Sequence, residues 1–231
     1  KFINKVIFFK IIMHKTVQNL ITIENEIKSS LSEKNLDKLP KIIAVSKTFS
    51  IENILPLIDH GHLDFGENKV QEAIEKWTDI KKNKPSLNLH MLGKLQTNKV
   101  KSAVKLFDYI HSLDNKKLAK KISIEQAKLN KKIKIFIQVN IGNEDQKSGI
   151  NEDNLIEFYS YCKEIHLDII GLMCLPPVNL NPSQYFNKMN LLNKSIELNH
   201  LSMGMSSDYL VAAKNFATYL RIGTNIFGIR S

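Results

Sequence analysis

The run IKIFIQVN occupies residues 133–140. Its side chains are mostly β-branched or aromatic, and only Lys134 and Gln138 break the apolar run before Asn140. A strand wetted on one face alternates apolar and polar residues. A nearly continuous run predicts a strand covered on both faces, as in a parallel sheet. The flanks agree: NKKLAKKISIEQAKLNKK (115–132) before it and Asn151 to Ile165 after it both read as helices.

The same alternation extends in both directions. Strands are expected at KIIAVS (41–46), HLDFG (62–66), LNLHMLG (87–93) and YIHSLD (109–114) before it, and at DIIGLMC (168–174), HLSMGM (200–205) and YLRIGTNIFG (219–228) after it. Further helices are expected at 51–59, 68–81, 97–107, 182–198 and 208–216, the fourth opening on Pro182. Another helix, about Val17 to Ser32, precedes the first strand, with Leu20, Ile23, Ile27 and Leu31 at helical spacing. About eight β-then-α units in 231 residues predict an α/β protein, a single closed (β/α)8 barrel of the TIM type with an extra N-terminal helix. An open doubly wound sheet is the alternative, disfavoured because no GxGxxG follows the first strand.

Composition narrows the function. Hydrophobic residues make up 43% and charged residues 24%, as in ordinary soluble proteins. Cys162 and Cys174 form no CxxC pair, which argues against a structural zinc or a disulfide framework and suits a reducing, cytoplasmic setting. The formal charge of +10 invites a nucleic-acid reading. Against it, Arg221 and Arg230 are the only arginines, the lysines are dispersed, and few aromatics interleave them. No nucleic-acid or membrane partner is expected. The opening KFINKVIFFKIIMHKT lacks a starting Met and mixes lysine into an apolar run. It makes a poor signal peptide and is read as an extension, residues 1–13, ahead of one domain over 14–231.

In a barrel, chemistry gathers at the C-terminal ends of the strands. Those ends hold Ser46-Lys47, Gly66-Glu67-Asn68, Gly93-Lys94, Asp114, Asn140, Cys174, Met203 to Ser206 and Arg221 to Thr224. The last two clusters carry the glycines and hydroxyls that an anion site after strands seven and eight needs. Lys47 would face that site across the mouth, with Arg221 between. A nucleophilic amine, a phosphate cradle and a fixed guanidinium are the groups that an aldehyde-bearing phosphate cofactor requires. His90 and His111 lie on apolar strands and read as core histidines rather than catalytic bases. The segment GNEDQKSG (142–149) reads as a mobile loop or a lid.

Eight stretches carry a family resemblance: AVSKT, FGENKVQEAIEK, LHMLGKLQTNKVK, IHSLD, IQVNIGNEDQKSG, GLMCLPP, LSMGMSSDY and RIGTNIFGIR, in this order from Ile42 to Arg230. In them the chain resembles the pyridoxal-phosphate homeostasis protein family (YggS/PROSC-like). The resemblance implies a barrel of the alanine-racemase N-terminal type that carries pyridoxal 5′-phosphate as a Schiff base on Lys47. It implies phosphate contacts at Ser206, Gly223 and Thr224, Arg221 near the ring nitrogen, and Asn68 close to the cofactor. It further implies a role in vitamin B6 balance as a carrier, with no established reaction and with cofactor-requiring apoenzymes as candidate recipients. A monomer is expected, with a dimer as the alternative. A racemase-like enzyme is the second reading; it is disfavoured because the second base of such enzymes comes from a β-domain for which this chain has no residues to spare. Two departures are small: Ser207 replaces a common acidic residue, and Met91-Leu92 replaces a more usual Phe-Ile pair.

Overall fold

A computed structural model describes residues 13–229. The expected extension at 1–13 therefore lies, but for Met13, outside the described residues. Eight parallel strands close into one barrel in the order β1 to β8. They are β1 (Lys41–Val45), β2 (Asp64–Glu67), β3 (Asn88–Met91), β4 (Tyr109–Leu113), β5 (Lys134–Val139), β6 (Asp168–Cys174), β7 (His200–Ser202) and β8 (Tyr219–Ile222). Closure is made by β1 and β8, which run in register from Lys41 opposite Tyr219 to Ala44 opposite Ile222.

The helices are α1 (Lys15–Ser32), α2 (Ile51–Asp59), α3 (Val70–Asn83), α4 (Val100–Leu106), α5 (Lys116–Leu129), α6 (Leu155–Glu164), α7 (Pro182–Ser195), α8 (Tyr209–Lys214) and α9 (Thr224–Phe227). α1 precedes β1 and buries Val17, Leu20, Ile23, Ile27 and Leu31 along one stripe. It rests on α2, α8 and α9, and Asn19 Nδ2 donates to the Ile226 carbonyl at 2.9 Å.

Two apolar regions follow from the pleat. Outward side chains such as Ile42, Phe65, Leu89, Ile110, Leu172 and Leu220 pack under the helices in one continuous core. Inward side chains fill the barrel: Ile43, Tyr109, Phe136, Met173 and Tyr219 form a separate cluster. Buried His90, His111, Ser202 and Arg221 share that interior with them.

Several boundaries differ from the sequence reading. HLSMGM yields a strand of three residues, because the chain turns out of the sheet at Gly204, with φ +88°. A Cβ there would also lie 2.5 Å from Ala212 Cβ. The helix expected over 97–107 opens with a 3-10 turn, Thr97–Lys99, and the one over 151–165 does the same at Glu152–Asn154. α9 was not separable from β8 by pattern, since only Gly223 divides them.

Gly171 in β6 has the tightest surroundings: a Cβ would lie 1.9 Å from the His200 backbone oxygen on β7. Gly171→Ala must push two paired strands apart and is expected to lower unfolding stability by about 1–3 kcal/mol or more. Ile156→Ala, at a position 65% exposed, should change it by about 0.5 kcal/mol or less. Urea denaturation of both variants checks the contrast.

Candidate functional site

All six residues singled out in the sequence, Lys47, Asn68, Ser206, Arg221, Gly223 and Thr224, line one cavity of about 420 Å³ at the mouth of the barrel. Val45, Leu92, Met173, Leu175, Met205 and Ser207 complete its wall. Lys47 and Arg221 are the ionisable side chains among these lining residues. Among the described residues, no cluster of His, Cys, Asp and Glu is arranged to hold a metal ion. No helix among them is long and apolar enough to cross a membrane.

Arg221 is 5% exposed and anchored at both ends of its fork. Nη1 donates to Ser202 Oγ at 2.7 Å and Nη2 donates to the Cys174 carbonyl at 2.9 Å. Its partners are thus a hydroxyl and a carbonyl, and burial pulls its pKa down. Lysine, with no fork, could not make this pair of bonds in one fixed plane. Cys174 supplies only its backbone; burial pushes its thiol up to about 12, so it is no nucleophile at neutral pH.

Ser206 does not cap α8, whose N-cap is Asp208. Instead its hydroxyl accepts from the Asn225 backbone N–H at 3.4 Å, and its carbonyl accepts from Asn225 Nδ2 at 3.1 Å. These bonds tie the loop after β7 to the start of α9 and set Ser206, Gly223 and Thr224 side by side. Asn68 does not cap α3 either, since the N-cap is Lys69. The 142–149 segment is no wall of the cavity. It folds back on β5, with Gln138 Nε2 donating to the Ser148 carbonyl at 2.9 Å and Lys147 Nζ to the Pro176 carbonyl at 3.1 Å.

A charged cluster that the sequence reading missed brackets Lys47. Glu67 is fully buried, and its Oε1 accepts from Ser46 Oγ (2.8 Å), Lys76 Nζ (3.0 Å) and Trp77 Nε1 (3.0 Å). Lys76 also donates to the Ser46 carbonyl at 2.9 Å and to Glu72 Oε1 at 3.1 Å. Glu72 in turn accepts from the Thr48 backbone N–H at 2.5 Å. The peptide groups on either side of Lys47 are therefore both clamped. Thr48 has φ +67°, costly for a β-branched residue, and the clamp holds it there. The signal was present in FGENKVQEAIEKW, where Glu67, Glu72, Lys76 and Trp77 recur at strand-end and helical spacings.

A second missed set runs down the barrel axis from Arg221. His111 Nδ1 lies 2.8 Å from Ser202 Oγ, His111 Nε2 lies 3.0 Å from His90 Nδ1, and His90 Nε2 lies 3.0 Å from Asp64 Oδ1. The sequence reading of both histidines as core residues holds for their burial, since each is 0% exposed.

The alanine racemase N-terminal domain family matches residues 27–231, and the fold agrees. Alanine racemase of Clostridium difficile superposes with a TM-score of 0.70 at 16% identity over 94% of this chain and 57% of its own. The class is thus a racemase-type barrel. Within it, a pyridoxal phosphate homeostasis protein of Aquifex aeolicus is 40% identical over 200 residues, 82% of this chain and 87% of the relative. PipY of Synechococcus elongatus PCC7942, solved with pyridoxal phosphate bound, is 32% identical with a TM-score of 0.78, covering 87% of this chain and all of its own. The chain belongs to the family of pyridoxal phosphate homeostasis proteins.

Lys76→Met leaves the buried Glu67 charge unpaired and is expected to cost about 3–5 kcal/mol. Glu67→Gln combined with Lys76→Met should cost clearly less than the two single changes summed, because they share one interaction. Denaturant titrations of the two singles and the double measure that coupling.

Proposed function

We propose that this chain binds pyridoxal 5′-phosphate covalently on Lys47 and acts in vitamin B6 homeostasis as a carrier or buffer, without strong catalysis of its own. The observation that carries the proposal is the single cavity joining Lys47, Arg221 and the Ser206–Gly223–Thr224 edge. The residues fit the group. The volume falls in the usual range of small-molecule sites, ~300–1,000 Å³. One edge offers the hydroxyls of Ser206 and Thr224 and the backbone at Gly223. The opposite side offers an amine.

When bound, the cofactor would supply an aldehyde for condensation with the Lys47 amine, with loss of water. This chain's own residues do the rest. Ser206, Thr224 and the backbone at Gly223 hold the phosphate. Arg221 presents a permanently protonated donor to the ring nitrogen, and Asn68 borders the ring. The clamp of Glu67, Glu72 and Lys76 fixes where the amine is delivered. Enzymes that require the cofactor are the expected recipients.

The cavity wall speaks against strong catalysis. Racemisation needs an acid or base on each face of the substrate. Among the described lining residues the ionisable groups are Lys47 and Arg221, and an arginine does not give up its proton. That leaves one base.

Purified protein incubated with pyridoxal phosphate should turn yellow and keep the band through gel filtration. Borohydride should fix the label on the peptide containing Lys47, and Lys47→Ala should stay colourless. A colourless wild type would sink the proposal. Thr224→Val, which keeps the shape and removes one hydroxyl, should weaken retention about tenfold or more, as for a lost bond to a charged group. Turnover of an L-amino acid to its mirror image at an ordinary enzymatic rate would overturn the carrier reading in favour of an enzyme.

A further inference from the structure

We infer that Ser202, His111, His90 and Asp64 form a one-way hydrogen-bonded file that positions Arg221 and couples it to the carboxylate at the opposite end of the barrel. Its consequence for the cofactor rests on the function proposed above; the file itself does not.

The direction of every bond follows from the Asp64 end once both rings are neutral. Asp64 is 13% exposed in its side chain and borders a cleft with Lys41 and His62 at the base of the barrel. Burial pushes its carboxyl up, but the hydrogen bond from His90, the charge interaction with His90 and then the charges on Lys41 and His62 outweigh this, and the net shift is down. It is an acceptor at neutral pH, so His90 Nε2 must carry hydrogen. Burial holds both imidazoles below their ordinary pKa, with the effect largest at His111, which faces His90 and Arg221. A neutral His90 with hydrogen on Nε2 accepts at Nδ1. His111 must then donate from Nε2 and accept at Nδ1, and Ser202 must supply that proton. Ser202 Oγ is left to accept from Arg221 Nη1. The arginine end is compatible with this order, since a guanidinium can only donate and Ser202 Oγ keeps a lone pair to accept from it.

The surroundings suit such a file. His90 stacks on Tyr109 with centroids 4.2 Å apart, and His111 stacks on Phe136 at 4.3 Å. Tyr219 packs edge-on to both His111 and Phe136. This aromatic sleeve holds each ring in one plane, and in the low dielectric of a buried site the bonds polarise one another. Asn88 Nδ2 also donates to Asp64 Oδ1 at 3.1 Å, and the Asp108 charge acts on His90 as well. Arg221, whose own bonds go to neutral groups and which also feels the Asp208 carboxylate, is linked to the Asp64 charge through four hydrogen bonds. No contact to a ligand in the cavity would by itself demand two fully buried histidines.

The test is nitrogen-15 NMR of the histidine and arginine side chains in the full chain without cofactor. Both His90 and His111 should be neutral with hydrogen on Nε2 at pH 7, with coupling across the bond from His111 Nε2 to His90 Nδ1. Either ring found cationic, or with hydrogen on Nδ1, overturns the inference without need of any variant. Asp64→Ala should move the His111 and Arg221 signals, and the Arg221 shift should vanish when Ser202→Ala is added. A shift confined to His90 would show a merely local role and overturn the coupling. With pyridoxal phosphate present, Asp64→Ala should weaken retention about 2- to 30-fold while labelling of Lys47 persists. Retention unchanged in a variant that still binds would overturn the link to the cavity. Failure of the wild type to bind at all would sink the proposed function and leave the tautomer result to decide the file.

Discussion

The pairing of β1 with β8 is the constraint on which the cavity depends. It sets Ile43 opposite Arg221 and Ala44 opposite Ile222. Because side chains alternate along each strand, this register sends Ile43 and Arg221 into the barrel together and Ala44 and Ile222 toward the helices. The same alternation brings Val45 and then Lys47 to the inner side at the mouth. A slip of one residue would turn Arg221 outward into the apolar layer. An unpaired guanidinium there would be prohibitively expensive, so the arginine itself helps to specify the register.

Around that register the protein buries two polar systems in different layers. The Glu67 cluster lies outside the sheet, between β2 and α3, and spends its bonds on the backbone on either side of Lys47. The Asp64 file lies inside the sheet and ends on Arg221. One system governs where the amine stands and the other governs how the guanidinium is turned. Neither consists of residues that touch the cavity, apart from Arg221. A strained Thr48, at a cost of order 1–3 kcal/mol, is tolerable only because Glu72 and the first system over-determine it.

The architecture was legible because it rests on local repetition: eight apolar runs with helices between them survive one-residue errors at their ends. The six cavity residues were legible because they occupy strand ends, which a closed barrel gathers in one place. Asp64, His90, His111 and Ser202 were not. They come from β2, β3, β4 and β7, and their proximity depends on strand tilt across the barrel, which no single window of sequence contains. The bulk of Glu67 was visible next to Asn68, but its outward direction follows from the parity of β2. The sequence left 142–149 open between a mobile loop and a lid; in the fold the backbone of Ile150 returns to pair with β5 and takes the segment with it.

Closure between β1 and β8 also has a consequence for synthesis. The cavity needs Lys47 from the beginning of the barrel and Arg221 to Thr224 from its end. α1, made before any strand, lies against α8 and α9, made after nearly all of them. A chain emerging from the ribosome can complete neither the barrel seam nor the cavity until β8 and α9 are out. Until then Lys47 has no Ser206, Gly223 or Thr224 to share a cavity with. The cavity is thus assembled late, by topology alone.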